Sequence, residues 1–99
     1  MNEITAKELA EKRKKGEKLN IIDVREDEEV ALGKIPGARH IPLGEIPNHL
    51  NEFNKEEHYY MVCRSGGRSA RACEFLADYH FNTTNVSGGM LAWEDEVEK

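Results

Sequence analysis

The passage from residue 59 to residue 79 restricts the fold more than any other part of the chain. Tyr59-Tyr60-Met61-Val62 is an unbroken apolar run that leads directly into Cys63-Arg64-Ser65-Gly66-Gly67-Arg68-Ser69. Ala72, Cys73, Leu76 and Ala77 then recur at helical spacing, which predicts a helix from Ser69 to about Tyr79. A run that is apolar at every position reads as a strand covered on both faces. A covered strand, a glycine-bearing turn and a helix together form the building unit of a parallel sheet.

The rest of the chain repeats the alternation. Thr5 and Glu8 have the spacing of a capping box, and Ile4 and Leu9 that of a hydrophobic staple. They predict a helix from about Thr5 to Lys14. The basic run Lys12 to Lys15 suits its negative end, and Gly16 suits its stop. Asn20 to Val24 reads as a strand, Asp27 to Leu32 as a short acidic helix ending at Gly33, and Arg39 to Ile41 as a brief strand closed by Pro42. Leu43 to Leu50 reads as a short helix, Thr83 to Val86 as a last strand, and Gly88-Gly89 as a turn into a final helix with Met90, Leu91 and Trp93. Ninety-nine residues suit one domain, residues 1–99, of α/β class.

Composition excludes several functions. The net charge of −5 disfavours nucleic acid, since phosphate contacts need clustered Lys and Arg. No apolar stretch approaches the ~18 residues that span a bilayer, and the first residues lack a secretory pattern. Neither nucleic acid nor a membrane is an expected partner, and the cytoplasm is the expected location. In that reducing setting Cys63 and Cys73 read as free thiols. His40, His49, His58 and His80 form no recognised zinc spacing with one another or with the cysteines, so no metal is expected.

The loop after the apolar run carries the chemistry. Ligands of open parallel sheets bind at the carboxyl ends of strands, and Cys63 stands at such an end. A thiolate is the reactive form of cysteine. A helix start presents unpaired N–H groups and partial positive charge. Gly66 and Gly67 let successive amides curl inward as an anion nest. Arg64 and Arg68 add positive charge, and Ser65 and Ser69 offer hydroxyl donors. These features predict a Cys63 pKa below the ordinary cysteine value of about 8.5. They also predict a cradle for a second sulfur, with Arg68 holding the incoming anion. Ser69 has two open readings, a donor to the sulfur or a helix cap. Cys73, on the apolar stripe, reads as a packed core thiol. Asp23, Arg25 and Glu26 read as a polar network fixing the loop after their strand. Arg71 reads equally as an attractor of anions or a solvated side chain.

With these residues in view, the chain resembles the rhodanese homology domain. Ile22-Asp23-Val24-Arg25-Glu26 with Gly33-Lys34-Ile35-Pro36-Gly37-Ala38 and Ile41-Pro42-Leu43 is similar to the family's first signature. Cys63 to Ser69 is similar to its active loop, and Gly88 to Trp93 to its closing signature. Lys34 departs from the pattern, where many members have His. The resemblance implies a central five-stranded, mainly parallel sheet with helices on both faces. It implies Cys63 as a persulfide-forming nucleophile and Arg64 to Ser69 as the loop around the sulfur. It implies a sulfurtransferase moving sulfane sulfur from thiosulfate or a persulfide to a thiol or cyanide, with no cofactor. Expected partners are small sulfur anions, low-molecular-weight persulfides, or a protein donor or acceptor; a monomer is the default. A sulfur-carrier module for a protein partner is the alternative. Phosphatases of the same superfamily have a loop one residue longer than the four-residue spacing between Cys63 and Arg68, which disfavours phosphatase or arsenate reductase chemistry.

Overall fold

The alternating pattern of the sequence folds into one sheet between two layers of helix. The computed structural model describes residues 1–99. Its strands are β1 (Glu3–Thr5), β2 (Asn20–Asp23), β3 (Arg39–His40), β4 (His58–Val62) and β5 (Asn82–Ser87). Its helices are α1 (Ala6–Lys14), α2 (Asp27–Val30), α3 (Gly67–Asp78) and α4 (Gly89–Ala92), with a 3-10 segment at Leu43–Glu52. The sheet order is β1-β5-β4-β2-β3, and all four strand pairs are parallel. The fold class is therefore α/β with a five-stranded sheet that is wholly parallel.

Side chains along a strand alternate between faces, and β4 shows what this does to the core. Tyr59, Met61 and then Cys63 face one apolar layer, with Ala72, Cys73 and Leu76 of α3 and Ile46 of the 3-10 segment. Tyr60 and Val62 face the other, with Ala6 and Leu9 of α1, Trp93 after α4, and Val86 of β5. Each layer covers one face of the sheet. The continuous apolar run at residues 59–62 is thus divided between two cores.

Local signals explain most boundaries. Thr5 caps α1 through its side chain, which accepts from the Glu8 amide at 3.0 Å, while Glu8 accepts from the Thr5 amide at 2.9 Å. Ile4 and Leu9 are both buried in the same layer, as a staple requires. Buried Asp23 and Arg25 form the network expected after β2: Arg25 Nη2 donates to Asp23 Oδ2 at 2.8 Å and to the Gly33 carbonyl at 2.8 Å. Lys34 donates to the Ala38 carbonyl and to Glu98, tying the C-terminal residues to the loop before β3.

Several ends shift by a residue or two (α2 stops at Val30, β5 runs Asn82–Ser87 and Trp93 lies beyond α4), and three differences say more. β1 pairs with β5 just ahead of α1, in a segment where no strand is predicted. The segment after Pro42 is a 3-10 helix that reaches Glu52, rather than a helix ending at Leu50. α3 begins at Gly67 instead of Ser69, because Gly66 takes a left-handed conformation (φ +111°) and turns the chain two residues earlier.

Candidate active site

The carboxyl end of β4 and the start of α3 bring the Cys63–Ser69 loop into a tight turn around one sulfur. Cys63 Sγ accepts from the Gly66 amide at 3.1 Å and lies 3.3 Å from Ser69 Oγ. Gly66 supplies this amide because its positive φ points the N–H inward, a conformation that costs a side-chain-bearing residue ~1–2 kcal/mol. Burial, the largest single influence, pushes the Cys63 thiol up. The Ser69 hydroxyl and the backbone N–H groups of Ser69, Gly66 and Ser65 together outweigh it, so the pKa lies below the ordinary value. The direction expected from the sequence holds, and its source is hydrogen-bond donors at a helix start. Cys63 is only 1% exposed, so the sulfur forms the floor of the cradle.

The guanidinium groups are placed differently from the expectation that they bear on the sulfur directly. Arg68 turns to Glu29 of α2 in a bidentate pair at 2.6 and 2.8 Å. The Arg68 guanidinium holds Glu29 down to about 2, and Glu29 in turn, helped by the charge of Cys63, keeps Arg68 protonated. Arg64 and Ser65 are exposed at the mouth of the loop, and Gly67 is exposed on the first turn of α3. Arg71 is exposed beside a cavity of about 310 Å³ lined by Leu43, Ile46, Pro47, Ala72 and Phe75.

Ser69 is not a helix cap. It is fully buried in the first turn of α3, and its hydroxyl lies 2.5 Å from Asn85 Oδ1 of β5 as well as beside the sulfur. Asn85 Nδ2 donates to the Gly66 carbonyl at 3.2 Å. Asn85 and Glu29 are the two site residues that sequence reasoning passed over. The available signal for Asn85 was an amide side chain in the middle of a buried strand, where such residues are depleted.

Gly88-Gly89 is more than a turn. The Met90 amide donates to the Cys63 carbonyl at 2.9 Å, and the Leu91 amide to the Arg64 carbonyl at 3.0 Å. Gly89 makes this approach possible: a Cβ there would sit 2.4 Å from the Cys63 carbonyl oxygen and 2.6 Å from that of Arg64. The closing segment therefore clamps the backbone of the reactive loop from the side opposite α3.

Cys73 is buried among core residues, where burial raises its pKa and Thr83 partly offsets the shift. It borders a separate cavity of about 530 Å³ with Met1, Phe81 and Thr83. The imidazoles serve local contacts: His40 Nε2 lies 2.6 Å from the Arg25 carbonyl, His58 Nε2 lies 2.6 Å from Thr84 Oγ1, and His49 pairs with Glu52.

A thiolate-stabilising loop between the third strand of the order and a helix, clamped by a diglycine segment, matches a known family model. The model for the rhodanese-like domain covers residues 5–96. The chain belongs to this family. It is 48% identical over 98 residues to the "Putative sulfurtransferase YtwF" of Bacillus subtilis (strain 168), covering 99% of this chain and 95% of that protein. It is 40% identical over 97 residues to the "Putative sulfur carrier protein YrkF" of the same organism, covering 97% of this chain and 52% of that protein. The crystal structure of a rhodanese-like domain protein from Staphylococcus aureus superposes with a TM-score of 0.94 at 48% identity, covering 99% of this chain and 97% of that one. Its relatives thus include proteins named as a putative sulfurtransferase and a putative sulfur carrier. No helix is long and apolar enough to cross a membrane.

Proposed function

We propose that this rhodanese-like domain moves sulfane sulfur from thiosulfate or a persulfide donor to a thiol or cyanide acceptor through a persulfide on Cys63. The observation that carries the reading is the pair of donors on Cys63 Sγ, the Gly66 amide at 3.1 Å and the Ser69 hydroxyl at 3.3 Å, at the positive end of α3. Together they favour the thiolate over the thiol.

The proposed reaction has two displacements and no net redox change across the cycle. The Cys63 thiolate attacks the outer sulfur of the donor. Its S–S bond breaks, the donor leaves with the electron pair as sulfite or a thiolate, and Cys63 carries a persulfide whose charge sits on the outer sulfur. The acceptor then attacks that outer sulfur, and the bond to Sγ breaks to regenerate the thiolate. The exposed mouth residues Arg64 and Ser65 attract and orient the anionic donor, while Arg68 stays paired with Glu29. The amides of residues 65–69 hold the charge as it moves outward. No cofactor enters the cycle.

The test is intact mass after incubation with thiosulfate. A gain of one sulfur atom, discharged by cyanide and missing in Cys63→Ser, is the expected result. Full loading of Cys63→Ser, or no loading of the parent with thiosulfate or a low-molecular-weight persulfide, overturns the proposal. A second reading, a sulfur carrier fed by a protein partner, draws on the likeness to YrkF. It predicts the same persulfide with slow turnover of thiosulfate. Phosphatase chemistry is disfavoured by the short loop and by the engagement of Arg68 with Glu29, which leaves that guanidinium occupied. Two free, buried cysteines suit a reducing compartment such as the cytoplasm.

A further inference from the structure

The first turn of α3 holds a hydrogen-bond conflict. Ser69 Oγ carries one hydrogen and has two neighbours that want it: Cys63 Sγ at 3.3 Å and Asn85 Oδ1 at 2.5 Å. The orientation of the Asn85 amide is set by its other contact. Nδ2 faces the Gly66 carbonyl at 3.2 Å, which can only accept, so the oxygen of the amide must face Ser69. All three side chains are buried: Cys63 is 1%, Ser69 0% and Asn85 3% exposed. An unsatisfied acceptor in such a place is costly.

Asn85 is also out of keeping with its surroundings. It stands in the interior of β5 and faces the layer formed by α3, in a strand position that ordinarily favours apolar or β-branched residues. Its backbone amide is already used by the Asn2 carbonyl. What the side chain adds is one acceptor aimed at Ser69 and one donor aimed at the loop.

We infer that Asn85 is a positioning residue that sets the direction of the Ser69 hydroxyl, so that this hydroxyl serves Cys63 in both of its charge states. With Cys63 as a thiol, Ser69 donates to Asn85 Oδ1 and its lone pair accepts the S–H. With Cys63 as a thiolate, the hydroxyl rotates and donates to sulfur. The inference rests on the proposed role of Cys63 for its functional meaning. In that cycle, persulfide formation leaves Sγ neutral, and the Ser69 hydrogen returns to Asn85. Release of the sulfur restores the anion and turns the hydroxyl back. No proton leaves the site, because only one hydrogen bond changes direction. Asn85 thus competes with sulfur for Ser69, and holds the thiolate less tightly poised than an uncontested hydroxyl would.

Other charges around the sulfur are few. α3 contributes Arg68, which is paired with Glu29 of α2 and near Glu26; the loop contributes exposed Arg64; the end of β2 contributes the internally paired Asp23 and Arg25. Arg71, further along α3, is exposed. Neither β5 (Asn82–Ser87) nor α4 (Gly89–Ala92) contains a charged residue. A change at Asn85 therefore reaches the sulfur through Ser69 or through the Gly66 carbonyl, and these routes can be separated.

The experiment is the pH dependence of Cys63 alkylation by iodoacetamide, read on the Cys63 peptide by mass spectrometry. It requires no sulfur donor, so it stands or falls independently of the transfer reaction. Asn85→Leu removes the competitor, and the midpoint of the profile moves to lower pH. Ser69→Ala removes the donor, and the midpoint moves to higher pH, with about tenfold less thiolate below the midpoint. In the Ser69→Ala background, Asn85→Leu moves nothing further. Asn85→Ala repeats the cycle if the leucine variant does not fold. An equal shift from the Asn85 change with and without Ser69 overturns the inference and assigns Asn85 to holding the loop. An unmoved midpoint in the single Asn85 variant also overturns it.

Discussion

Replacing Gly89 by alanine probes the clamp on the reactive loop. The new Cβ would stand 2.4 Å from the Cys63 carbonyl oxygen and 2.6 Å from that of Arg64. To reach even the shortest separation that real Cβ atoms show, 3.0 Å, the peptide must retreat by about 0.6 Å. Both carbonyls accept hydrogen bonds from α4, so retreat strains or breaks contacts worth ~1 kcal/mol each. Alanine at a φ of +51° adds ~1–2 kcal/mol of backbone strain. The expected loss of stability is therefore about 2–4 kcal/mol, measured by urea denaturation. If the displacement falls on Cys63, the 3.1 Å contact from the Gly66 amide lengthens and weakens. Persulfide formation, followed by intact mass, then slows by about 10- to 100-fold. Gly37→Ala is the control, since Gly37 also has a positive φ (+83°) but nothing within 4 Å of its ideal Cβ. It carries backbone strain alone and should leave Cys63 chemistry unchanged. Equal stability losses in the two variants, with equal rates of persulfide formation, would refute the reasoning.

Two further outcomes follow from the polar contacts. Glu29 titrates at about 2 instead of 4.5, so its pair with Arg68 contributes stability that is fully present above pH 4.5 and lost as pH falls toward 2. Glu29→Gln should cost about 1 kcal/mol at neutral pH, since the pair is partly exposed, and the difference from the parent should shrink steadily below pH 4.5 in urea titrations. A pH-independent difference would show that the pair does not carry the effect. Arg25→Met leaves the fully buried Asp23 carboxylate without its partner and should cost about 3–5 kcal/mol in the same assay. The double variant Asp23→Asn/Arg25→Met removes the orphaned charge and should recover part of that loss; failure to recover any would point to packing rather than charge.

The central strands, the first helix and the composition of the Cys63–Ser69 loop were legible because their signals are local. The run at residues 59–62 announces β4, the Thr5–Glu8 spacing announces α1, and the loop composition announces the sulfur cradle. Features that depend on distant partners were not legible. β1 buries only Ile4 in three residues, too short for any periodicity, and exists because β5 lies beside it. Arg68 points away from the expected anion because Glu29, 39 residues earlier, folds against it. The two readings of Ser69, sulfur donor or cap, stay open until Gly66 is known to turn the chain first. Asn85 is 16 residues from Ser69, and only the parallel arrangement of β4 and β5 brings the two together.

The position of β5 also governs when the fold around residue 63 is completed during synthesis. β5 is made late, yet it inserts between β1 and β4, and α4 behind it grips the backbone of the cysteine. A nascent chain that has emerged only as far as α3 has a half-built sheet, no Asn85 opposite Ser69 and no grip on residue 63. The full parallel sheet and the grip on the backbone of residue 63 are therefore completed only with the last fifth of the polypeptide.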